Sequence, residues 1–164
     1  MKRWFRALVP CSLFVPTLLG ATAAANPETV ARDTIWSKEL SIYTGRGTGS
    51  LDFYIDNASP RYLGWPPTSA SPFPLSQLRR EGDQIRRRNR EKIVSTFKGF
   101  TLSGTTAVIY YVNHRTMMAD GTPVDQTYDN IHVWTYEDSS WKVIGGMSRL
   151  VAPSPQASTT GGRP

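Results

Sequence analysis

The second half of the chain leaves it the least freedom. From Glu91 onward, β-branched and aromatic residues fill four long runs, Lys92 to Thr101, Thr105 to Met118, Asp125 to Tyr136 and Trp141 to Val151. Turn chemistry joins each run to the next, at Ser103-Gly104, Asp120-Gly121 and Glu137-Asp138-Ser139-Ser140. Such a series predicts an antiparallel meander, and a sheet of that size must bury one of its faces.

What can cover that face lies upstream. Asn26-Pro27-Glu28 has the order of a helix start: a capping side chain, a proline at the first helical position and an acid in the first turn. Ile35, Trp36, Leu40 and Tyr43 then share a helical face, and Gly45 or Gly47 can end the run. Ser50 caps a shorter helix with Leu51, Tyr54 and Ile55 on one side, closed by Pro60. Tyr62 to Pro67 is too short and proline-bound for a helix, so it predicts an extended edge segment leading into a Ser/Pro-rich loop. Leu75, Leu78 and Ile85 mark a third helix, with Gly82 as its weak point. The expected fold class is α+β, a cone-shaped fold with three N-terminal helices packed on a curved antiparallel sheet whose open end forms a pocket.

The first 25 residues read as an export signal. Lys2, Arg3 and Arg6 precede an uncharged stretch from Ala7 to Ala25 that ends in small residues suited to cleavage after Ala23 or Ala25. Pro10 and Pro16 interrupt it, and it lacks the strongly apolar length of a spanning helix. Leu-Val-Pro-Cys around Cys11 lacks the small residues of a lipidation site. The expectation is a signal peptide over 1–25, one domain over 26–151 and a disordered Pro/Ser/Thr/Gly tail over 152–164, in a periplasmic or secreted protein with no stable membrane anchor. Removing the signal takes the only cysteine with it, which leaves no disulfide and no thiol chemistry.

The formal charge of +6 overstates the basicity of the domain. Three positive residues lie in the signal and seven between Arg79 and Lys92, against three acids there; the remainder is 9 basic and 10 acidic. Arg79-Arg80 and Arg86 to Arg90 form one local run without aromatics, which reads as a solvated helix end and loop and not as a nucleic-acid surface, with docking of an anionic ligand or the anionic envelope as the alternative. Two histidines without spaced acids give no metal-ligand set, and no cofactor motif is present, so neither metal nor cofactor is expected.

The residues that carry a family likeness are Trp36 to Tyr43, Tyr62-Leu63-Gly64-Trp65-Pro66, the strand Ala107 to Val112, and above all Asn130-Ile131-His132-Val133-Trp134 followed by Trp141-Lys142-Val143-Ile144. Over about Val30 to Val151 the chain resembles the SnoaL-like and ketosteroid isomerase-like branch of the nuclear transport factor 2-like superfamily. The resemblance implies a homodimer built through the sheet and a pocket for a small hydrophobic or aromatic ligand. Members include isomerases, dehydratases, epoxide hydrolases, cyclases, lyases and non-catalytic proteins, so the fold does not decide the function.

Hairpin counting locates the chemistry. With two-residue turns at Asp120-Gly121 and Asp138-Ser139, one face carries Tyr111, Asn113 and Arg115, then Tyr128, Asn130, His132 and Trp134, then Trp141, Val143, Gly145, Met147 and Arg149. The opposite face carries Tyr110, Val112, His114, Thr127, Asp129, Ile131 and Ile144. His132 is the candidate general acid or base, because imidazole exchanges a proton near neutral pH. Tyr128, Asn130 and Asn113 join it as catalytic candidates, while Tyr43, Tyr54, Tyr62, Trp65, Tyr111, Trp134, Met147 and Arg149 are candidates for substrate binding. A slipped register would instead bring up His114 and Asp129 as a carboxylate-imidazole pair.

The segment where ketosteroid isomerases place a carboxylate base holds Tyr62 to Trp65 and no acid, and an Asp-Arg-Asp set like that of the fold's epoxide hydrolases cannot be assembled. A Tyr, His and Asn pocket looks more like the dehydratases. The expected function is a cofactor-independent acid-base lyase or isomerase acting on a small hydrophobic, hydroxylated molecule; the alternative is a non-catalytic ligand-binding or accessory dimer of the same fold.

Overall fold

The computed structural model describes residues 25–86 and 88–151; Arg87, the expected tail and all but the last residue of the expected signal lie outside them. The first helix, α1, spans Pro27–Gly47, and the Asn26 side chain caps it by accepting from the Glu28 amide at 2.9 Å. Its buried stripe is Ala31, Ile35, Glu39 and Ile42, one residue round from the expected face, so Leu40 is 41% exposed and a carboxylate points inward. The short α2, Asp52–Asp56, begins where the Ser50 hydroxyl accepts from the Asp52 amide at 3.0 Å. Strands β1, Ala58–Trp65, and β2, Phe73–Pro74, come before α3, Leu75–Ile85, in which Gly82 packs closely on Ile55 and Leu51. The meander follows as β3 Lys92–Ser103, β4 Thr106–Met117, β5 Pro123–Glu137 and β6 Ser140–Leu150.

The six strands lie in the order β2-β1-β6-β5-β4-β3. Here the expected architecture is corrected. β1 runs parallel to β6, so the sheet is mixed, and it is neither closed nor strongly curled into a cone. The Tyr62 to Trp65 segment is not an edge, because the two-residue β2 takes that place beyond it. Pro60 falls inside β1, in a stretch where the register with β6 jumps between Ala58 and Leu63; a residue without an N–H is tolerated where ladder pairing lapses. The parallel pairing escaped the sequence reading because strand order across a long connection leaves no local signature.

Helices α1, α2 and α3 pack together, α1 on β3 and β4 and α3 on β1 and β2. Between helices and sheet lie Ile35, Ile42, Leu51 and Leu78 from the helical side and Ala107, Ile109, Tyr111, Trp134 and Val143 from the strands. The other face stays uncovered. Val94, Tyr110, Leu63, Trp65 and Met147 are all at least 40% exposed there. None of the described helices is long and apolar enough to cross a membrane.

The first hairpin pairs Asn113 with Tyr128, Tyr111 with Asn130 and Ile109 with His132, as counting from Ala119 and Thr122 requires. Its turn is nevertheless longer, with the Met118 amide donating to the Thr122 carbonyl, and an irregularity between Arg115 and Met117 restores the count. The second hairpin turns at Asp138-Ser139, both at positive φ, and keeps its register as far as Trp134 and Val143. A shift between Val133 and Trp134 then pairs His132 with Gly146 and Ile131 with Met147. Beyond it, Met147 and Arg149 stand on the uncovered face, opposite to the expected one, because a single extra residue inverts all that follow.

Candidate functional site

Glu39 organises the covered side of the sheet. It comes from the middle of α1 with no solvent exposure, and its Oε1 accepts from Trp134 Nε1 at 2.8 Å. His132 Nδ1 lies 2.8 and 3.0 Å from its two oxygens. With Glu39 as the carboxylate, Nδ1 is the donor, which leaves Nε2 free to accept. Nε2 faces the Tyr54 hydroxyl at 3.2 Å, and Tyr54 meets the Tyr62 hydroxyl at 2.9 Å. On the other side of the ring the Tyr111 hydroxyl lies 3.2 Å from Nδ1 and 2.9 Å from the Tyr43 hydroxyl.

Local backbone chemistry makes this crossing possible. A Cβ at Gly146 would overlap His132 Cδ2 and the Ile131 carbonyl, so the glycine opposite His132 is what lets the imidazole lie across β6. A Cβ at Gly64 would likewise overlap the Tyr62 hydroxyl, which folds back over its own strand. The paired Gly145 brings the β6 backbone against the Leu63 carbonyl of β1, where a Cβ would come within 2.5 Å of the oxygen. Side chain and backbone of the chain itself thus occupy the space beside both glycines.

Burial raises the Tyr54 and Tyr111 phenols well above the ordinary tyrosine value, with neighbouring phenols and the Glu39 charge adding to it. Burial also pushes Tyr43 up to about 12 and raises Tyr62. All four are neutral at physiological pH; Tyr54 and Tyr111 reach the imidazole that a carboxylate orients, and Tyr62 and Tyr43 contact those two in turn. That is the carboxylate-imidazole-hydroxyl arrangement of acid-base catalysis, in which the carboxylate fixes the tautomer and steadies the imidazolium.

The structure thus brings His132 together with Tyr43, Tyr54, Tyr62, Tyr111 and Trp134. Asn130 is buried nearby but donates to the Tyr128 carbonyl at 2.9 Å, and Asn113 accepts from Ser95 at 2.7 Å. Tyr128 donates to Gln126 at 2.8 Å and stacks under Arg115, whose guanidinium lies 4.9 Å from the ring. Trp65, Met147 and Arg149 lie on the uncovered face, where Trp65 donates to the Ser69 carbonyl at 2.9 Å and Arg149 binds Asp129 at 2.7 Å. His114 and Asp129 do not meet, because His114 contacts Asp125 at 2.7 Å instead.

Two features escaped the sequence reading. Glu39 was legible: with Ala31, Ile35 and Ile42 it follows the spacing of four, four and three of one helical stripe. The second is a buried carboxylate, Glu91, bound by Arg46 at 2.9 and 3.1 Å and flanked by Arg115 at 3.1 Å, which ties α1 to the start of β3 and the end of β4. Nothing local marks that cluster, since its members are 45 and 24 residues apart in sequence.

On the uncovered face a depression of about 390 Å³ has Tyr110, Val112, Ile131 and Met147 as its apolar lining, with Lys98 and the Arg149–Asp129 pair beside them.

No protein-family model and no curated protein sequence matches the chain. Solved structures do. A Streptomyces avermitilis protein provisionally assigned as a dehydratase of the nuclear transport factor 2-like family aligns with a TM-score of 0.67 at 12% identity, over 76% of this chain and 99% of that one. A nuclear transport factor 2-like protein from Cytophaga hutchinsonii aligns at 0.58 and 17%, covering 73% and 98%. A provisionally assigned ketosteroid isomerase from Parabacteroides distasonis aligns at 0.56 and 14%, covering 81% and 94%. At such identities the likeness is one of architecture, and the fold of this chain is the nuclear transport factor 2-like fold.

Proposed function

We propose that this chain is an exported, cofactor-independent acid-base enzyme, a lyase of the dehydratase type or an isomerase, acting on a small, uncharged, hydrophobic molecule that carries a hydroxyl or carbonyl group. The observation that carries the reading is the Glu39–His132–Tyr54 chain. A carboxylate in the core costs several kcal/mol in lost hydration unless its partners offset it, and an apolar side chain would pack there at less cost. Its use is to hold His132 in one tautomer and to steady the imidazolium.

In an elimination, His132 Nε2 takes the proton from the carbon next to the one bearing the hydroxyl. The C–H electron pair becomes the new C=C bond, and the C–O bond breaks with its pair on the departing oxygen. That oxygen takes the proton from the imidazolium and leaves as water, which returns His132 to its neutral form. Tyr54 and Tyr62, protonated and paired with each other, turn to the substrate oxygen. Among the described residues no arginine or lysine joins the hydrogen bonds of this centre, which favours an uncharged substrate.

Turnover on a panel of hydroxylated aromatic and polycyclic compounds tests the proposal. His132→Ala is expected to lose about 100-fold to 10,000-fold in kcat, the usual worth of a positioned acid-base group. Undiminished turnover in that variant would remove His132 from the mechanism.

One observation favours the second reading, a non-catalytic accessory dimer. His132 is only 9% exposed behind Tyr54 and Tyr62, whereas the open depression and the exposed apolar residues lie on the opposite face. A second copy seated there would form a homodimer through the sheet, with or without chemistry on the covered side.

A further inference from the structure

We propose that Trp134 is a positioning residue whose indole N–H keeps Glu39 ionised while His132 carries its second proton, so that the ring stays an imidazolium able to return that proton. The inference rests on His132 as the base of the proposed reaction, and it gives Trp134 a role other than lining a ligand. Trp134 has no solvent exposure, and its polar atom, Nε1, donates to Glu39 Oε1 at 2.8 Å.

His132 and Trp134 are two residues apart on β5, so the pleat turns both toward α1. Each brings an N–H to the same carboxylate oxygen: His132 Nδ1 and Trp134 Nε1 both lie 2.8 Å from Oε1. Oε2 has the longer contact to Nδ1, at 3.0 Å. Glu39 also has no solvent exposure, so these donors stand where water would otherwise hydrate the charge. A carboxylate cut off from water is drawn toward its neutral form unless hydrogen bonds to the charged form oppose it.

Once His132 has taken a proton at Nε2, the pair of His132 and Glu39 holds two protons, and where they sit decides what the ring does next. In one arrangement both are on the ring and Glu39 is its counter-ion. In the other, the Nδ1–H bond breaks with its electron pair left on nitrogen, and the proton joins a lone pair of Oε2. What remains is a neutral imidazole protonated at Nε2, a far weaker acid than an imidazolium and unable to protonate a departing hydroxyl. An indole N–H donates and never accepts, and it bonds a charged carboxylate oxygen more strongly than a neutral carboxyl oxygen. Trp134 therefore favours the first arrangement. Tyr54 and Tyr111, which also face the ring, are held neutral by burial and do not compete for the proton.

Nitrogen-15 spectra of the His132 ring in mildly acidified, folded protein separate the two arrangements, since the first has both nitrogens protonated and the second a bare Nδ1. Wild type is expected to show the first. Trp134→Phe removes the donor and keeps an aromatic ring in the core. It is expected to raise the share of rings with a bare Nδ1 by about ten-fold or more, the worth of a hydrogen bond to a charged group. Val143→Ala opens space beside Trp134, its partner across the β5–β6 ladder, without touching the indole N–H, and is expected to leave the spectrum unchanged. A bare Nδ1 in acidified wild type, an unchanged ring in Trp134→Phe, or an equal shift in Val143→Ala overturns the role. Should Trp134→Phe fail to fold, the wild-type indole signals decide. The Trp134 N–H is expected downfield of the other indoles and displaced by Glu39→Gln, and a signal that Glu39→Gln leaves in place overturns the role. A shifted ring in Trp134→Phe, where wild type turns over nothing on the substrate panel, upholds Trp134 and removes the enzyme; wild-type turnover with an unchanged ring in Trp134→Phe does the reverse.

Discussion

Glu39, His132 and Trp134 meet in a core where every polar atom needs a partner, and four tyrosines complete the set. The consequence at this scale is a dependence on alkaline pH. Folding holds Tyr43, Tyr54, Tyr62 and Tyr111 protonated above the value near 10.0 at which they ionise in the unfolded chain, Tyr43 up to about 12. Between those limits the unfolded chain binds fewer protons than the folded one, so stability falls as pH rises. Their contribution is therefore complete below about pH 10 and is lost through the folded-state values above it. A spectrophotometric titration should show four of the seven tyrosines staying protonated until the protein unfolds. Ionisation of all seven near 10 in the folded protein would contradict the network. His132 was legible as a candidate because an imidazole exchanges a proton near neutral pH and this one falls mid-strand among aromatics. Glu39 was passed over because the aromatic stripe one residue away, with Trp36 and Tyr43, reads as a more apolar face than the true one.

At the scale of the elements, the network depends on how β5 and β6 are paired. Turn residues give the start of each ladder, and alternation carries it along the strand until an irregularity intervenes. The first hairpin kept its expected partners because a longer turn and a shift near Arg115 compensate, whereas the shift at Val133 and Trp134 has no such counterpart and sends Met147 and Arg149 to the other face. No residue type announces a bulge of this kind, so those two positions could not be placed from sequence. The bulge also sets Gly146 opposite His132, and Gly146→Ala should cost about 1–3 kcal/mol by overpacking against the ring and the Ile131 carbonyl. Gly99→Ala is the contrast, since its new methyl would lie 3.6 Å from Tyr110 in ordinary contact. Urea denaturation of the two variants checks this, and equal stability would mean that His132 does not lie across β6.

For the molecule as a whole, three helices on one face of a six-stranded sheet leave the other face to be accounted for. The helix caps, the turn glycines and the four strand runs made the α+β class readable; the parallel β1–β6 pairing and the open sheet were not, because both depend on contacts between segments some 85 residues apart. A face exposing Val94, Tyr110, Met147, Leu63 and Trp65 is the kind of apolar surface that a second copy can cover. Wild type is accordingly expected to sediment as a dimer and the Tyr110→Arg, Met147→Arg double variant as a folded monomer. A monomeric wild type at micromolar concentration would refute that interface.

All of the proposed chemistry rests on Glu39 fixing the His132 tautomer, and long-range nitrogen-proton correlation spectra of the histidine rings measure that state directly. The chain has only two histidines, so His114→Gln assigns the signals. In mildly alkaline buffer the expected spectrum of His132 shows a protonated Nδ1 and a bare Nε2, a pattern that Glu39→Gln should disturb. A His132 ring protonated at Nε2 with a bare Nδ1, or one indifferent to Glu39→Gln, would contradict the account.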